Sequence, residues 1–316
     1  MKRKVIIATG SLIVAILIVL LVAGNYFYNQ AVKRGTDVVL HTEAASLNSL
    51  ASEEDQLHMK EAKEWFNDQQ PDNITIKTDD DIEITAQFIA QHDSQQKGVI
   101  LVHGFRSTSA DMGKLAKFYA DEGFDVLLPD ARGHGASGGD YIGFGWHDRH
   151  DIIQWIDFLK SHGNNQIILH GNSMGAATVL MASGEELPIE VKGIVADSSY
   201  SSVKEELAHQ LKHIYNLPAF PLLEVTSFVT NVRAGYTFGE ASVVEQVKKN
   251  NRPLLIIHGD ADDLVPTAMA QQIYEAATSE KELWIVPDAG HTKAYNNKTI
   301  EFEQYLKDFL DRTVAD

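Results

Sequence analysis

The sequence has no cysteine. Disulfides, thiolate zinc sites and a cysteine nucleophile are excluded together, although the absence assigns the chain to no compartment. Basic residues are also scarce: 27 lysines and arginines stand against 44 aspartates and glutamates, a formal charge of −17. Such a surface repels a nucleic acid backbone. No Lys/Arg-rich run occurs beyond the extreme N-terminus, so nucleic acid is not expected as a partner. The 13 histidines include no His-Glu-x-x-His or similar paired spacing, so no metal site is expected either. What the 316 residues do contain is ample apolar material, 44% of the composition. That is enough core for one large domain or two small ones.

The apolar material is unevenly placed. An uncharged, mostly aliphatic stretch runs over 5–23, behind Lys2-Arg3-Lys4 and ahead of Asn25-Tyr26-Phe27-Tyr28. At about 1.5 Å per residue, a helix of that length nearly spans a hydrocarbon core of about 30 Å. Aromatics at its end suit the interface, and the basic residues before it favour a cytoplasmic N-terminus. Lys33 and Arg34 weaken that orientation without reversing it. A cleaved signal peptide is the competing reading, with small residues at Val22-Ala23-Gly24. The stretch is longer than the usual ~7–15 residues of such a segment. The expectation is an uncleaved single-pass anchor over 1–30 in the cell membrane, with the remaining domain extracytoplasmic. The signal-peptide reading makes it a secreted protein.

Residues 31–73 are polar and acidic, with Leu47, Leu50, Leu57, Met59 and Ala62 at loosely helical spacing. They read as a helical stalk or docking segment, its Trp65-Phe66 packed against the main domain. Beyond Pro71, over 74–316, strands and helices alternate. Segments 74–78 and 82–90 read as an antiparallel hairpin. The apolar runs 99–102, 125–128, 166–169, 193–196, 253–257 and 283–286 read as buried strands. Helices are expected over about 111–122, 147–160 and 174–183. A last helix carries Phe302, Tyr305, Leu306, Phe309 and Leu310 on one face. The pattern specifies a mostly parallel sheet with helices on both faces, whose ligands sit at the carboxyl ends of the strands. The stretch from about 198 to 250 breaks the alternation and reads as a helical cap.

Chemistry is written at those strand ends. In "IILHGNSMGAATVL" a strand, a turn and a small-residue helix surround Ser173. A serine hydroxyl needs a base, a group orienting that base, and N–H donors for the oxyanion. The tight turn requires the glycines on either side of Ser173. Met174 N–H, at the start of the helix, and Phe105 N–H, in "VILVHGFRST", are the candidate oxyanion donors. His103 precedes the Phe105 turn and reads as structural. "LLIIHGDADDLVP" delivers an aspartate from 260–263 and "IVPDAGHT" delivers His291, giving the order Ser…Asp…His.

From about residue 74 the chain resembles an α/β-hydrolase of the serine-aminopeptidase-like, acylglycerol-lipase-like group. Within it, the likeness is to bacterial membrane-anchored or exported hydrolases. "HGF", "LLPDARGHGASGG", "HGNSMGA", "HGDADDLVP" and "DAGH" carry the resemblance. It implies an eight-stranded, mostly parallel sheet with a small helical cap, and a catalytic triad of Ser173, Asp262 and His291. Asp197 is the fallback acid, Asp260 and Asp263 are turn carboxylates, and Arg132 and His134 hold backbone in their loop. The implied reaction is hydrolysis of a small-molecule carboxylic ester, with a lipid or a peptide as the further substrate options, through an acyl-enzyme, without metal or organic cofactor. A serine aminopeptidase or amidase is the alternative, and a non-catalytic envelope binding protein is a third reading.

Overall fold

Val99, Ile100, Leu101 and Val102 are all buried, yet they serve two cores. Ile100 and Val102 pack with Trp155, Ile156 and Val179, whereas Val99 and Leu101 pack with Tyr119, Phe124 and Phe309. This is the period-2 alternation of an extended chain covered on both faces. The same split recurs at Ile167/Ile168, Ile194/Val195 and Leu254/Leu255.

The computed structural model describes residues 2–36, 51–91 and 96–314. Eight strands form one sheet in the order β1(Asp72–Lys77), β2(Glu83–Ile89), β4(Asp125–Pro129), β3(Lys97–Val102), β5(Gln166–Asn172), β6(Val191–Asp197), β7(Leu254–Gly259) and β8(Lys281–Val286). β2 is antiparallel to β1 and to β4, and all other neighbours are parallel. α3(Gly113–Asp121) and α11(Thr299–Thr313) supply the core on one face. α4(Asp148–Ser161), α5(Met174–Ala182) and α9(Thr267–Ala276) supply it on the other. The doubly covered sheet expected from the sequence is present.

Within the segment read as a helical stalk or docking segment, the described residues dock on the body. α2(Glu53–Asp68) begins at Ser52, whose Oγ accepts from Asp55 N–H, and carries three acidic residues in its first turn, where they complement the helix dipole. Its Met59, Trp65 and Phe66 pack on the α3/α11 core, as expected for the two aromatics. Leu57 is exposed, and Leu47 and Leu50 lie outside the described residues.

α1(Lys2–Ala31) is long and apolar enough to cross a membrane, and no residue of its apolar stretch is buried by the rest of the chain. Its last two turns are not bare. Gly24 lies against Val225 of α7(Leu222–Ala234), close enough that a Cβ there would meet Val225 at 2.7 Å. Arg233 of α7 stacks over Tyr28 and donates to Asn25 Oδ1 at 2.7 Å. Val32 is fully buried and its carbonyl accepts from Ile142 N–H at 2.7 Å. Arg34 donates to the carbonyls of Gly135, Ser137 and Gly139. The break drawn after residue 30 therefore runs through a continuous contact.

Between β6 and β7 the chain forms α6(Val203–Tyr215), α7 and the short α8(Val243–Val247).

Candidate active site

β5 runs straight into Ser173, whose backbone turns at φ 55° and ψ −117° before α5 begins at Met174. A non-glycine residue held at such angles costs about 1–3 kcal/mol, which the surroundings must offset. Here they do. Ser173 N–H donates to the Asp197 carbonyl at 2.8 Å. A Cβ on Gly171 would overlap the Gly175 carbonyl, and one on Gly175 would overlap the carbonyl of Val102. Both glycines of the pentapeptide are thus required by backbone crowding around the turn, as argued from the sequence.

Ser173 Oγ lies 2.8 Å from His291 Nε2, and His291 Nδ1 lies 2.8 Å from Asp262 Oδ2. The carboxylate only accepts, so Nδ1 carries the proton, Nε2 presents a lone pair, and the serine hydroxyl donates to it. Asp262 Oδ1 accepts from the Leu264 and Val265 N–H groups at 3.0 and 2.8 Å. Burial alone would raise the Asp262 pKa, but hydrogen bonds from His258 and His291 hold it at about 2. It is therefore an anion across the neutral range. The loops are tied so that this line persists: Asp260 N–H donates to Val286 O, Asp288 N–H to Asp260 Oδ1, and Thr292 N–H to Ser198 Oγ.

His258, at the end of β7, is a participant that sequence reasoning passed over. It is fully buried, donates from Nε2 to the Val265 carbonyl at 2.8 Å, and has the same nitrogen 3.2 Å from Asp262 Oδ2. Its signal was a histidine closing a wholly aliphatic strand, where a polar ring requires a partner.

Among the described residues, neither Phe105 N–H nor Met174 N–H has an acceptor within the protein. Met174 opens α5, where the first amides have no intrahelical partner and the helix dipole favours negative charge. Phe105 follows β3, on the neighbouring loop, with its ring stacked on Phe144.

The remaining candidates sit elsewhere. His103 donates from Nδ1 to the Gly104 carbonyl and accepts from Ala131 N–H at Nε2. Burial pushes its pKa down to about 4, so it is a neutral clasp between two loops. His134 likewise holds backbone, accepting from Arg106 N–H. Arg132 does not: its guanidinium pairs with Asp151 and Asp80 side chains, because β1 and β2 bring their connecting turn beside it. Asp197 accepts from Ser198 Oγ at 2.8 Å, while Asp262 faces the imidazole. Burial raises the Asp197 pKa to about 6. Asp260 is an exposed turn carboxylate, and Asp263 is half-buried, its carbonyl accepting from His209.

Two cavities meet at Ser173, sharing Phe105 and Leu264 as well. One is apolar and lies beneath α6 and α7, with Leu207, Leu211, Leu223 and Phe238 in its walls. The other is more polar and holds Asp111, Lys114, Asn172 and His291. Glu206 lines the apolar cavity beside Gln210, which donates to it at 2.8 Å. Burial pushes its pKa up to about 8, so at neutral pH the cavity holds a neutral acid. No sequence signal marks this residue, since burial is not written in a helical acidic face.

Comparison with known proteins agrees with this fold. Residues 99–298 match the sequence pattern of the alpha/beta hydrolase family. The uncharacterised protein YqkD of Bacillus subtilis is 27% identical over 98% of this chain and 97% of its own. A carboxylesterase of the same organism is 26% identical over 68% of this chain and 93% of its own. A lysophosphatidylserine lipase of Xenopus tropicalis is 26% identical over 68% of this chain and 58% of its own. Among solved structures, an esterase of Pyrococcus furiosus superposes with a TM-score of 0.66 at 24% identity. That alignment covers 90% of this chain and 98% of that one, a likeness of fold.

Proposed function

This chain belongs to the alpha/beta hydrolase family, and from that premise we propose that it is a serine hydrolase cleaving carboxylic esters through an acyl-enzyme. The observation that carries this reading is the hydrogen-bonded line Asp262–His291–Ser173, set where an apolar and a polar cavity meet. An ester has the same two-sided character, with an apolar acyl part and a more polar alcohol part. The carboxylesterase and lipase relatives support the same substrate class.

In the proposed reaction His291 Nε2 takes the Ser173 proton as Oγ bonds to the ester carbonyl carbon. The carbonyl pair moves onto oxygen, where the Phe105 and Met174 N–H groups receive it. The bond to the alcohol oxygen breaks, and His291 passes its proton to that oxygen. Water then gives its proton to His291 and its oxygen to the acyl carbon. Ser173 recovers the proton as the carboxylic acid leaves. Asp262 holds the Nδ1–H tautomer and stabilises the imidazolium. In this reading α1 anchors the enzyme with Lys2–Lys4 on the cytoplasmic side, and α6 and α7 cap the acyl cavity.

The test is a panel of p-nitrophenyl esters and aminoacyl-nitroanilides given to the full-length protein in detergent. Ester turnover is expected, falling about 10⁴-fold or more in Ser173→Ala. Anilide turnover without ester turnover would replace this reading by an amidase. Binding of both without turnover would leave a non-catalytic protein.

A further inference from the structure

We infer that the last turns of α1 form a working wall of the acyl site, so that the enzyme takes long-chain acyl esters from the bilayer that α1 crosses. The inference rests on the reading of Ser173 as nucleophile.

Phe27, Gln30 and Ala31 of α1 line the same apolar cavity as Ser173 and Met174. They are fastened from two sides. The Phe27 ring packs edge-on against Tyr215, at the end of α6, with centroids 5.3 Å apart. The Gln30 carbonyl accepts from the Arg106 guanidinium at 2.6 Å, one residue beyond the candidate oxyanion donor Phe105. A segment that only tethered the enzyme would need neither contact. Losing these turns of α1 would open the acyl cavity to water.

The depth of these residues suits a membrane ester. Phe27 and Ala31 lie four and eight residues beyond Ala23, the end of the aliphatic stretch, or about 6 and 12 Å along the axis. The headgroup layer is about 5–8 Å thick on each side of the hydrocarbon. On this scale Phe27 stands within the headgroup layer and Ala31 about 4–7 Å above it.

The surface around this end of α1 is apolar as well. Outside α1, seven large apolar side chains are exposed among the described residues: Leu57, Ile189, Phe220, Phe228, Val232, Ile300 and Tyr305. Three of them, Phe220, Phe228 and Val232, are on α7 or just before it. α7 is the helix against which α1 docks, and it meets Gly24 at Val225. Phe220 precedes that contact and so projects on the bilayer side. These exposed side chains extend the apolar surface of α1 along the helix whose Leu223 and Thr226 wall the cavity.

The test uses the full-length protein in phospholipid nanodiscs and a hexadecyl fluorophosphonate with a diazirine near the chain end. After labelling and photolysis, peptide mass spectrometry is expected to find the phosphonate on Ser173 and the chain crosslinked within 27–31. Labelled Ser173 with crosslinks only to the polar cleft, at Lys114 or Tyr295, overturns the inference and leaves the nucleophile standing. No labelling of Ser173 overturns both. A second arm uses Ala31→Trp, which narrows the cavity from the α1 side. The ratio of kcat/KM for a dodecanoyl over a butanoyl ester is expected to fall at least 10-fold, and an unchanged ratio contradicts the assignment. In a third arm the dodecanoyl ester is placed in the enzyme's own nanodiscs or in separate vesicles. Equal rates would rule out the bilayer as its source.

Discussion

Asp262 is satisfied on both carboxylate oxygens, Oδ1 by two backbone N–H groups and Oδ2 by His291 and His258. An asparagine there would keep the backbone contacts but present an amide hydrogen to His291 Nδ1. The imidazole would then carry its proton on Nε2 and could no longer accept from Ser173. Asp262→Asn is expected to lower kcat for a p-nitrophenyl ester about 10³–10⁴-fold with little change in KM. A loss below 10-fold would remove Asp262 from the reaction. Glu206 gives a prediction of a different kind. Its pKa is raised from an ordinary 4.5 to about 8 by burial. Between those values the unfolded chain releases a proton that the folded one keeps, so stability falls as pH rises through the window. Glu206→Gln removes this dependence. Between pH 5 and 8 the melting temperature of the variant should gain roughly 5 °C or more on the parent; parallel curves would show Glu206 to be ionised in the fold. At this scale, legibility followed motif length. Ser173, Asp262 and His291 stand in short glycine-containing strings at strand ends, whereas His258 and Glu206 matter through burial and neighbours that no local string records.

At the scale of elements, the sheet was legible because its strands are covered on both faces and therefore read as short apolar runs. The docking of α1 was not. The aliphatic stretch of α1 shows no preferred face, and the aromatics of its docked turns read equally well from the sequence as an interfacial belt. The sequence sign was instead a single residue, Arg34, which the charge pattern assigned to membrane orientation. In the fold it donates to three carbonyls of the loop 135–139 and closes the junction between α1 and the body. Arg34→Ala is expected to lower the melting temperature of the full-length protein in detergent by roughly 3–8 °C. A shift below 1 °C would mean the junction holds without it. Lysine cannot span three carbonyls, so Arg34→Lys should recover only part of the loss.

The whole molecule joins an apolar site to a strongly acidic surface, with a net charge of −17. Repulsion over a Debye length of about 10 Å at 0.1 M salt disfavours anionic esters and is screened as salt rises. Raising ionic strength from about 0.02 to 0.3 M should therefore increase kcat/KM several-fold for an ester bearing a carboxylate. It should leave a neutral ester of equal chain length unchanged; equal responses would show that net charge does not reach the site. All of this presupposes chemistry at Ser173, which one measurement addresses directly. Full-length protein turning over p-nitrophenyl octanoate is quenched in acid within the first turnovers, digested and examined by mass spectrometry. An octanoyl group on the peptide carrying Ser173, absent in Ser173→Ala together with the turnover, is the predicted result. Turnover that persists in Ser173→Ala, or an acyl group found on another residue, would contradict the account.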